Sequence, residues 1–443
     1  MKYPKYPAYK ESGVEWIGII PKGWEVKKLS RCLSRLESGN REFSGGNQLK
    51  DGVLSIGGEH IDWEGNINLT NPKYIKESFY FNLNSGKVKE EDILLVKDGA
   101  TIGKIAYVKE LPVKQVAINE HVFLLRTNKL LHSKFLYYFL YSKIGQTQIL
   151  SNVRGAAQGG LNSSFVQRLY ISIPPLLVQK NISSFLDNEI ERLSKLIYKE
   201  NNIMILLKEK RQAIITTAVT KGLYPNVPMK DSGIEWIGQI PEHWKLSRIK
   251  FVSEVTMGQS PPSYSYLDHG ELPFLQGCAE FGEISPNPKH YCEIATKISY
   301  PGEILLSVRA PVGELNLSDR FYGIGRGLCS IRSLRTGVDY LKWYLHVAKN
   351  NLISLSNGST YDAVTISDVK NLKIPISKDK LEQDTISEYI NTETSKIDIL
   401  ISKQHNMIEL LKEYKTSLIT QVVTGKIDVR GFTPPITQGD ALH

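Results

Sequence analysis

Cysteine is scarce in this 443-residue chain, and the four present (Cys32, Cys278, Cys292 and Cys329) are widely scattered. With no C-x-x-C pair they suggest neither a zinc site nor a disulfide framework, and they read as buried thiols in a reducing cytoplasm. No run of about 18 apolar residues exists to span a bilayer. The opening Met1-Lys2-Tyr3-Pro4-Lys5 has no apolar stretch to act as a signal, so a soluble, cytoplasmic protein with no membrane partner is expected. The nine histidines show no metal-ligand spacing, and no carboxylate and lysine cluster of nuclease type is evident.

Two segments come close to catalytic motifs and fail. Gly99-Ala100-Thr101-Ile102-Gly103-Lys104-Ile105 has three residues between its glycines where a phosphate loop needs four, and Ile105 stands where the Mg²⁺-binding Ser or Thr belongs. Ser260-Pro261-Pro262-Ser263-Tyr264 lacks the initial amide or acid of an amino-methyltransferase motif, and no Gly-rich cofactor motif accompanies it. No catalytic residues, metal or cofactor are therefore assigned to this chain.

What the chain does have, it has twice. Ser12-Gly13-Val14-Glu15-Trp16-Ile17-Gly18-Ile19-Ile20-Pro21-Lys22-Gly23-Trp24 returns as Ser232-Gly233-Ile234-Glu235-Trp236-Ile237-Gly238-Gln239-Ile240-Pro241-Glu242-His243-Trp244. Four of the six tryptophans lie in this pair at identical spacing, so the chain is a duplicated unit. Net charge is +9 with pI near 9.0, which favours a polyanionic partner without specifying one.

A second repeat is helical. The stretches from about Val178 to Thr220 and from about Lys378 to Thr424 lack Pro and Gly and carry apolar residues at heptad spacing. A helix of about 43 residues is about 65 Å long. The seams run Leu193, Ile197, Glu200, Met204, Leu207, Arg211, Ile214 and Ile397, Ile401, Gln404, Ile408, Leu411, Lys415, Leu418. Parallel in-register pairing would set Arg211 on Lys415, and antiparallel pairing removes that clash. An antiparallel coiled coil is expected, with Glu200 opposite Lys415, Arg211 opposite Gln404, Leu207 opposite Ile408, Met204 opposite Leu411, Ile197 opposite Leu418 and Ile214 opposite Ile401. The alternative is that each helix packs separately on its neighbouring domain.

Between the helices lie two mixed regions with short β-type runs, such as Ile93-Leu94-Leu95-Val96 and Ile304-Leu305-Leu306-Ser307-Val308. Each also has one aromatic-rich helical stretch, Phe135 to Tyr141 and Tyr340 to Leu345. The expected class is α+β: two mixed α/β domains separated by two long helices, closed into a pseudo-twofold circle. The segments are residues 1–176, the helix 177–221, residues 222–376, the helix 377–424, and a tail 425–443 packing near the N-terminus, where circular permutation should be tolerated.

At this point the residues resemble a known family, the specificity subunits of type I restriction-modification systems. The resemblance rests on the repeated Ser-Gly-x-Glu-Trp-Ile-Gly-x-Ile-Pro-x-x-Trp segment, the Gly-x-Ile-Leu-Leu core (Glu91 to Leu95 and Gly302 to Leu306), and the Ile173-Pro174 and Ile374-Pro375 exits into helices holding Gln179 and Gln383. The first core departs from the pattern, with Glu91 where the second has Gly302. The resemblance implies a non-catalytic subunit whose two target recognition domains each read half of a bipartite, asymmetric site in double-stranded DNA, the helices fixing the gap. It further implies two modification subunits that use S-adenosylmethionine to methylate adenine, and restriction subunits that use ATP and Mg²⁺ to translocate and cut. A self-sufficient methyltransferase or nuclease, and a coiled-coil adaptor that does not read DNA, are the alternatives.

Candidate contacts are polar residues on Gly-bearing loops. In the first region these are Asn40, Arg41, Lys97, Lys104, Arg154, Gln158 and Asn162, with Gln259, Ser263, Tyr264, Arg309, Arg326, Asn357 and Tyr361 as counterparts in the second. Gly103 matches Gly313, and Gly155 matches Gly358, as turns that let backbone approach a ligand. Any single one of these could equally be a solvated surface residue. The repeated tryptophans, near-identical across divergent domains, are expected to pack or to dock partners rather than to stack on bases.

Overall fold

The computed structural model describes residues 3–42, 49–154, 159–356 and 363–433. They form two compact units, Met1–Glu200 with Met407–His443, and Asn201–Asn406. In each, the tryptophan repeat makes a hairpin. Tyr9–Glu11 pairs antiparallel with Ile19–Pro21 in the first, and Met229–Asp231 pairs with Gln239–Pro241 in the second. The turn after each hairpin buries an indole, Trp24 and Trp244.

Each unit centres on a four-stranded antiparallel sheet. The order is Leu33–Ser38, Val122–Thr127, Ile93–Val96, Ile105–Tyr107 in the first, and Ser253–Met257, Leu328–Ser333, Ile304–Ser307, Leu315–Leu317 in the second. The apolar cores run unbroken because both faces of the central strands are covered, alternate side chains going to opposite sides. Ile93 and Leu95 join the cluster that includes Phe135 and Phe139 of the helix Ser133–Tyr141, while Leu94 and Val96 pack with Leu54, Val116 and Ile118. In the second unit Ile304 and Leu306 meet Tyr340 and Tyr344 of the helix Val338–Ser356, and Leu305 meets Leu275, Tyr322 and Ile324. A second sheet supplies that second cover, three-stranded in the first unit and five-stranded in the second, with Val53–Ile56 parallel to Val116–Ile118 and Pro273–Leu275 parallel to Tyr322–Ile324.

The turn entering each central strand is held by a buried acid. Asp92 accepts from the Lys89 N–H at 2.7 Å and takes Arg126 bidentately, Nε at 2.7 Å and a terminal nitrogen at 2.6 Å. Glu303 accepts from the Tyr300 N–H at 3.0 Å and from Arg332 Nε at 2.6 Å, with Ser330 also donating. Glu91, which departs from the Gly of the family pattern, adopts φ +65°, and Gly302 takes φ +83°. The loop is thus the same in both units, and Glu91 carries the steric cost of the left-handed region.

The long helices are Leu176–Lys221 and Lys380–Val423. Their starts are tied to the unit beside them by matching glutamines. Gln179 accepts from the His132 N–H at 2.7 Å and donates to Pro174 C=O at 2.8 Å; Gln383 accepts from Thr336 Oγ1 at 2.6 Å and donates to Ser377 C=O at 2.9 Å. Both helices end at a left-handed glycine. Gly222 (φ +73°) lies against Trp244, and Gly425 (φ +72°) lies against Pro21 and Trp24.

Every seam position named from the sequence is buried or half-buried, whereas most residues between them are exposed. In the first unit Leu186 and Leu193 share a cluster with Leu418, Ile419 and Val422; in the second, Ile215 and Val219 share one with Ile386 and Ile390. Within the second unit the helices run antiparallel, since partners descend from Asp398 to Ile386 as the first helix ascends from Arg211 to Val219. The partner expected for Arg211 is corrected. It takes Asp398 rather than Gln404, with Nε 2.8 Å from Oδ1, and its guanidinium lies 5.9 Å from the Trp343 ring. Asp398 offers the planar guanidinium a bidentate, charge-assisted acceptor, which an amide oxygen does not. Lys415 is mostly buried, which pushes its ammonium pKa down, and the opposing charges it senses are Glu64 and Asp62 of the first mixed region.

Residues 425–433 return to the N-terminal segment within the first unit. The Asp428 N–H donates to Pro4 C=O at 2.9 Å, Phe432 meets Phe185 edge-on at 5.1 Å, and Arg430 lies 4.9 Å over the Tyr6 ring. No helix among the described residues is long and apolar enough to cross a membrane, and none of their His, Cys, Asp and Glu form a group that could hold a metal.

Candidate nucleic-acid interface

Each unit carries a cleft where the central strands end. In the first, about 880 Å³ is lined by Gly58, Val96, Asp98, Thr101, His121 and Gly160 among others. In the second, about 330 Å³ is lined by Ser260, Gln276, Glu280, Arg309, Arg326 and Gly327 among others. The floors are built alike. A short 3-10 turn follows the parallel strand in both, Gly58–His60 and Cys278–Glu280, and its third side chain accepts from the N-cap N–H. His60 Nδ1 takes the Gly57 N–H at 2.8 Å, and Glu280 Oε2 takes the Gly277 N–H at 3.3 Å. Gly103 (φ +94°) and Gly313 (φ +87°) close matching turns, donating to Val96 C=O at 3.0 Å and Ser307 C=O at 2.9 Å.

Backbone hydrogen bonds fix which lip residues correspond. The Lys97 N–H donates to His121 C=O and the Val308 N–H to Gly327 C=O, so Lys97 matches Val308 and Asp98 matches Arg309. Bridges agree: Asp98 pairs with Gly160 and Arg309 with Ala363. Glu120 and Arg326 each stand two residues before the strand that follows, Val122–Thr127 or Leu328–Ser333. Arg41 and Ser260 each stand two residues after a glycine that donates to that strand's first carbonyl, Gly39 to Val122 and Gly258 to Leu328. The matching pairs touch. Arg41 Nε lies 3.6 Å from Glu120, and Arg326 Nε lies 3.5 Å from Ser260 Oγ.

The candidates read from the sequence separate into groups. Arg309 and Arg326 are exposed and come together at the second cleft, with Gln259 exposed nearby in sequence and Tyr264 86% exposed. Ser263 opens the short turn Ser263–Ser265. Asn40 and Arg41 are exposed at the first unit's glycine turn, and Arg154 is exposed in a two-residue strand. Three candidates have internal work instead. Lys97 is half-buried, donating to Ser38 Oγ at 2.9 Å with its ammonium 5.0 Å from the Phe123 ring. Lys104 sits 5.9 Å from the Trp63 ring, and Asn162 caps the 3-10 turn Ser163–Gln167. Gln158, Asn357, Tyr361, Gly155 and Gly358 lie outside the described residues.

Sequence reasoning missed Asp98, Glu120, His121 and Gln276. His121 Nδ1 lies 2.6 Å from Asp98 Oδ1, so the first lip holds carboxylates with nitrogen partners where the second holds arginines without ion pairs among the described residues. A search for basic and amide side chains passes over such a pair, and only the positions of these residues flanking the β-type runs could have flagged them. Trp24 and Trp244 pack, Trp244 Nε1 donating to Glu382 at 3.1 Å, while Trp16 is 49% exposed and Trp236 lies 6.0 Å from the Tyr344 ring.

One α+β frame built twice, with its sequence kept in the scaffold and its charge changed at the clefts, defines a two-headed recognition protein. The family model for the type I restriction modification DNA specificity domain matches residues 52–203 and 241–410. A Methanocaldococcus jannaschii protein described as the specificity subunit of type I restriction enzyme MjaX is 30% identical over 433 residues, covering 95% of this chain and 98% of its own. Among solved structures, a chain from a study of complex assembly and conformational transition in a type I system aligns with TM-score 0.76 at 24% identity, covering 91% of this chain and 98% of its own. The specificity subunit from Thermoanaerobacter tengcongensis aligns with TM-score 0.57 at 24% identity, covering 92% and 98%. The chain belongs to the specificity-subunit family of type I restriction-modification systems.

Proposed function

We propose that each unit reads one half of a bipartite, asymmetric site in double-stranded DNA and that the long helices set the gap. In this reading the chain performs no chemistry and works in the cytoplasm. Two modification subunits methylate adenine with S-adenosylmethionine, and restriction subunits translocate and cut with ATP and Mg²⁺. The observation that carries it is the pair of clefts: matching backbone positions hold Asp98 and Glu120 in one unit and Arg309 and Arg326 in the other, with Asp98 lining the first cleft and both arginines lining the second. A frame held constant while its lips change charge suits reading two different sequences, since base edges differ in where they donate and accept. Net charge of +9 adds attraction to the duplex that is independent of sequence.

Mapping methylated adenines in DNA from cells carrying the complete system tests this. The expected result is one motif of two unlike half-sites separated by a fixed gap. Absence of such a motif, or methyl transfer by the purified chain alone with labelled S-adenosylmethionine, would overturn it.

A further inference from the structure

The two lips differ in hydrogen-bond polarity at positions the backbone makes equivalent. The second cleft presents two guanidinium groups. Among the described residues neither Arg309 nor Arg326 forms an ion pair, whereas Arg126, Arg211, Arg332 and Arg430 all do. The one acid there, Glu280, is buried and accepts from a backbone N–H. Two planar donor forks on one lip, neither engaged by a carboxylate and Arg326 reaching only Ser260 Oγ at 3.5 Å, have the geometry for an edge carrying two acceptors, which in the major groove is guanine O6 and N7. In the first unit the same two positions hold carboxylates: Asp98 lines the cleft 2.6 Å from His121 Nδ1, and Glu120, next to the lining His121 in sequence, lies 3.6 Å from Arg41 Nε. Carboxylates at this lip repel the O6 and N7 acceptors of guanine and accept from an exocyclic amino group, N4 of cytosine or N6 of adenine.

We propose that Arg309 and Arg326 read guanine in the half-site taken by the second unit, and that Asp98 and Glu120 select an amino-bearing base in the other half-site. This rests on the bipartite DNA-reading function above. It names residues and base chemistry that the function by itself does not.

The test uses the complex of this chain with its modification subunits, assayed on the wild-type target and on duplexes with each base pair of the motif replaced in turn. Arg309→Lys and Arg326→Lys keep the charge and lose the fork. The expected result is a loss of about 5- to 150-fold in discrimination at one or more guanines of a single half-site, the other half-site unchanged. Asp98→Ala and Glu120→Ala should relax a cytosine or adenine preference in the opposite half-site. The unchanged half-site reports that each variant is folded and assembled. Three outcomes overturn the proposal: no guanine in the half-site that responds, full discrimination retained by the lysine variants and by Arg309→Ala and Arg326→Ala alike, or Arg309→Ala and Arg326→Ala slowing methylation of every duplex equally while the lysine variants restore it. The last would make these arginines phosphate anchors. If the wild-type complex shows no bipartite motif, the DNA-reading function itself fails, which is a different result from any of these three.

Discussion

At Gly425 a methyl group would lie 2.4 Å from Pro21 Cδ and 3.1 Å from Trp24, whereas at Gly222 the nearest atom is a Trp244 carbon at 3.3 Å. Both glycines also carry a positive φ that an L side chain adopts at a cost of about 1–2 kcal/mol. Gly425→Ala should therefore lower stability by about 2–4 kcal/mol, and Gly222→Ala by about 1–2 kcal/mol, the difference arising from the rigid proline ring. Thermal denaturation of the two variants side by side checks the order. Glu382 gives a pH-dependent counterpart. Burial alone pushes its carboxyl up, but donation from Ser377, Trp244 and His243 outweighs this and leaves it below the usual range. A lowered folded pKa means the stabilisation is complete above the unfolded value, about 4.3, and is lost as pH falls through the folded one. Wild type should lose its stability advantage over Glu382→Gln as acid is added below about pH 4.3, and an advantage that grows with acid would refute the assignment. Residue partners were the least legible part of the sequence. The Asp92 to Arg126 and Glu303 to Arg332 pairs join strands distant in sequence, so no local pattern announces them.

The long helices were the most legible elements, because absence of Pro and Gly and a sustained heptad pattern leave few other conformations. Their seams follow from periodicity alone, yet the bond from Arg211 to Asp398 does not, since Asp398 is an exposed residue off the apolar seam. The strands were legible where apolar runs are buried on both faces, as at Ile93–Val96 and Ile304–Ser307. Matching of loops between units was not. Assigning lip residues by local order misses that Lys97 corresponds to buried Val308 and Asp98 to exposed Arg309, which only the backbone hydrogen bonds reveal. At this scale the helices predict spacing. One heptad inserted into both helices adds about 10 Å, roughly three base pairs along B-DNA, and keeps each seam in phase. The methylated motif should keep both half-site sequences and change only its gap. A changed half-site would show that the helices themselves read bases.

Each helix end, hairpin and tryptophan forms one joint, and the chain makes it in two ways. Residues 223–231 run directly from Gly222 to the second hairpin, while Gly425 reaches the first hairpin only by packing against it, with Asp428 bonded to Pro4. A circular permutant that links the tail to the N-terminus and opens the chain within residues 223–228 should fold and direct methylation to the same motif. Identical near-ultraviolet circular dichroism and an identical methylation map would bear this out; an unfolded permutant would show that the connection after Gly222 is required. The clefts have a consequence at the same scale. A frame with two like lips would read a site that looks the same from either strand, as twofold DNA-binding dimers do. With Asp98 and Glu120 on one unit and Arg309 and Arg326 on the other, exchanging the units exchanges acid for base. On the proposed reading the site has a heading: a complex bound to it would face one way along the duplex, and what lies ahead of it would differ from what lies behind.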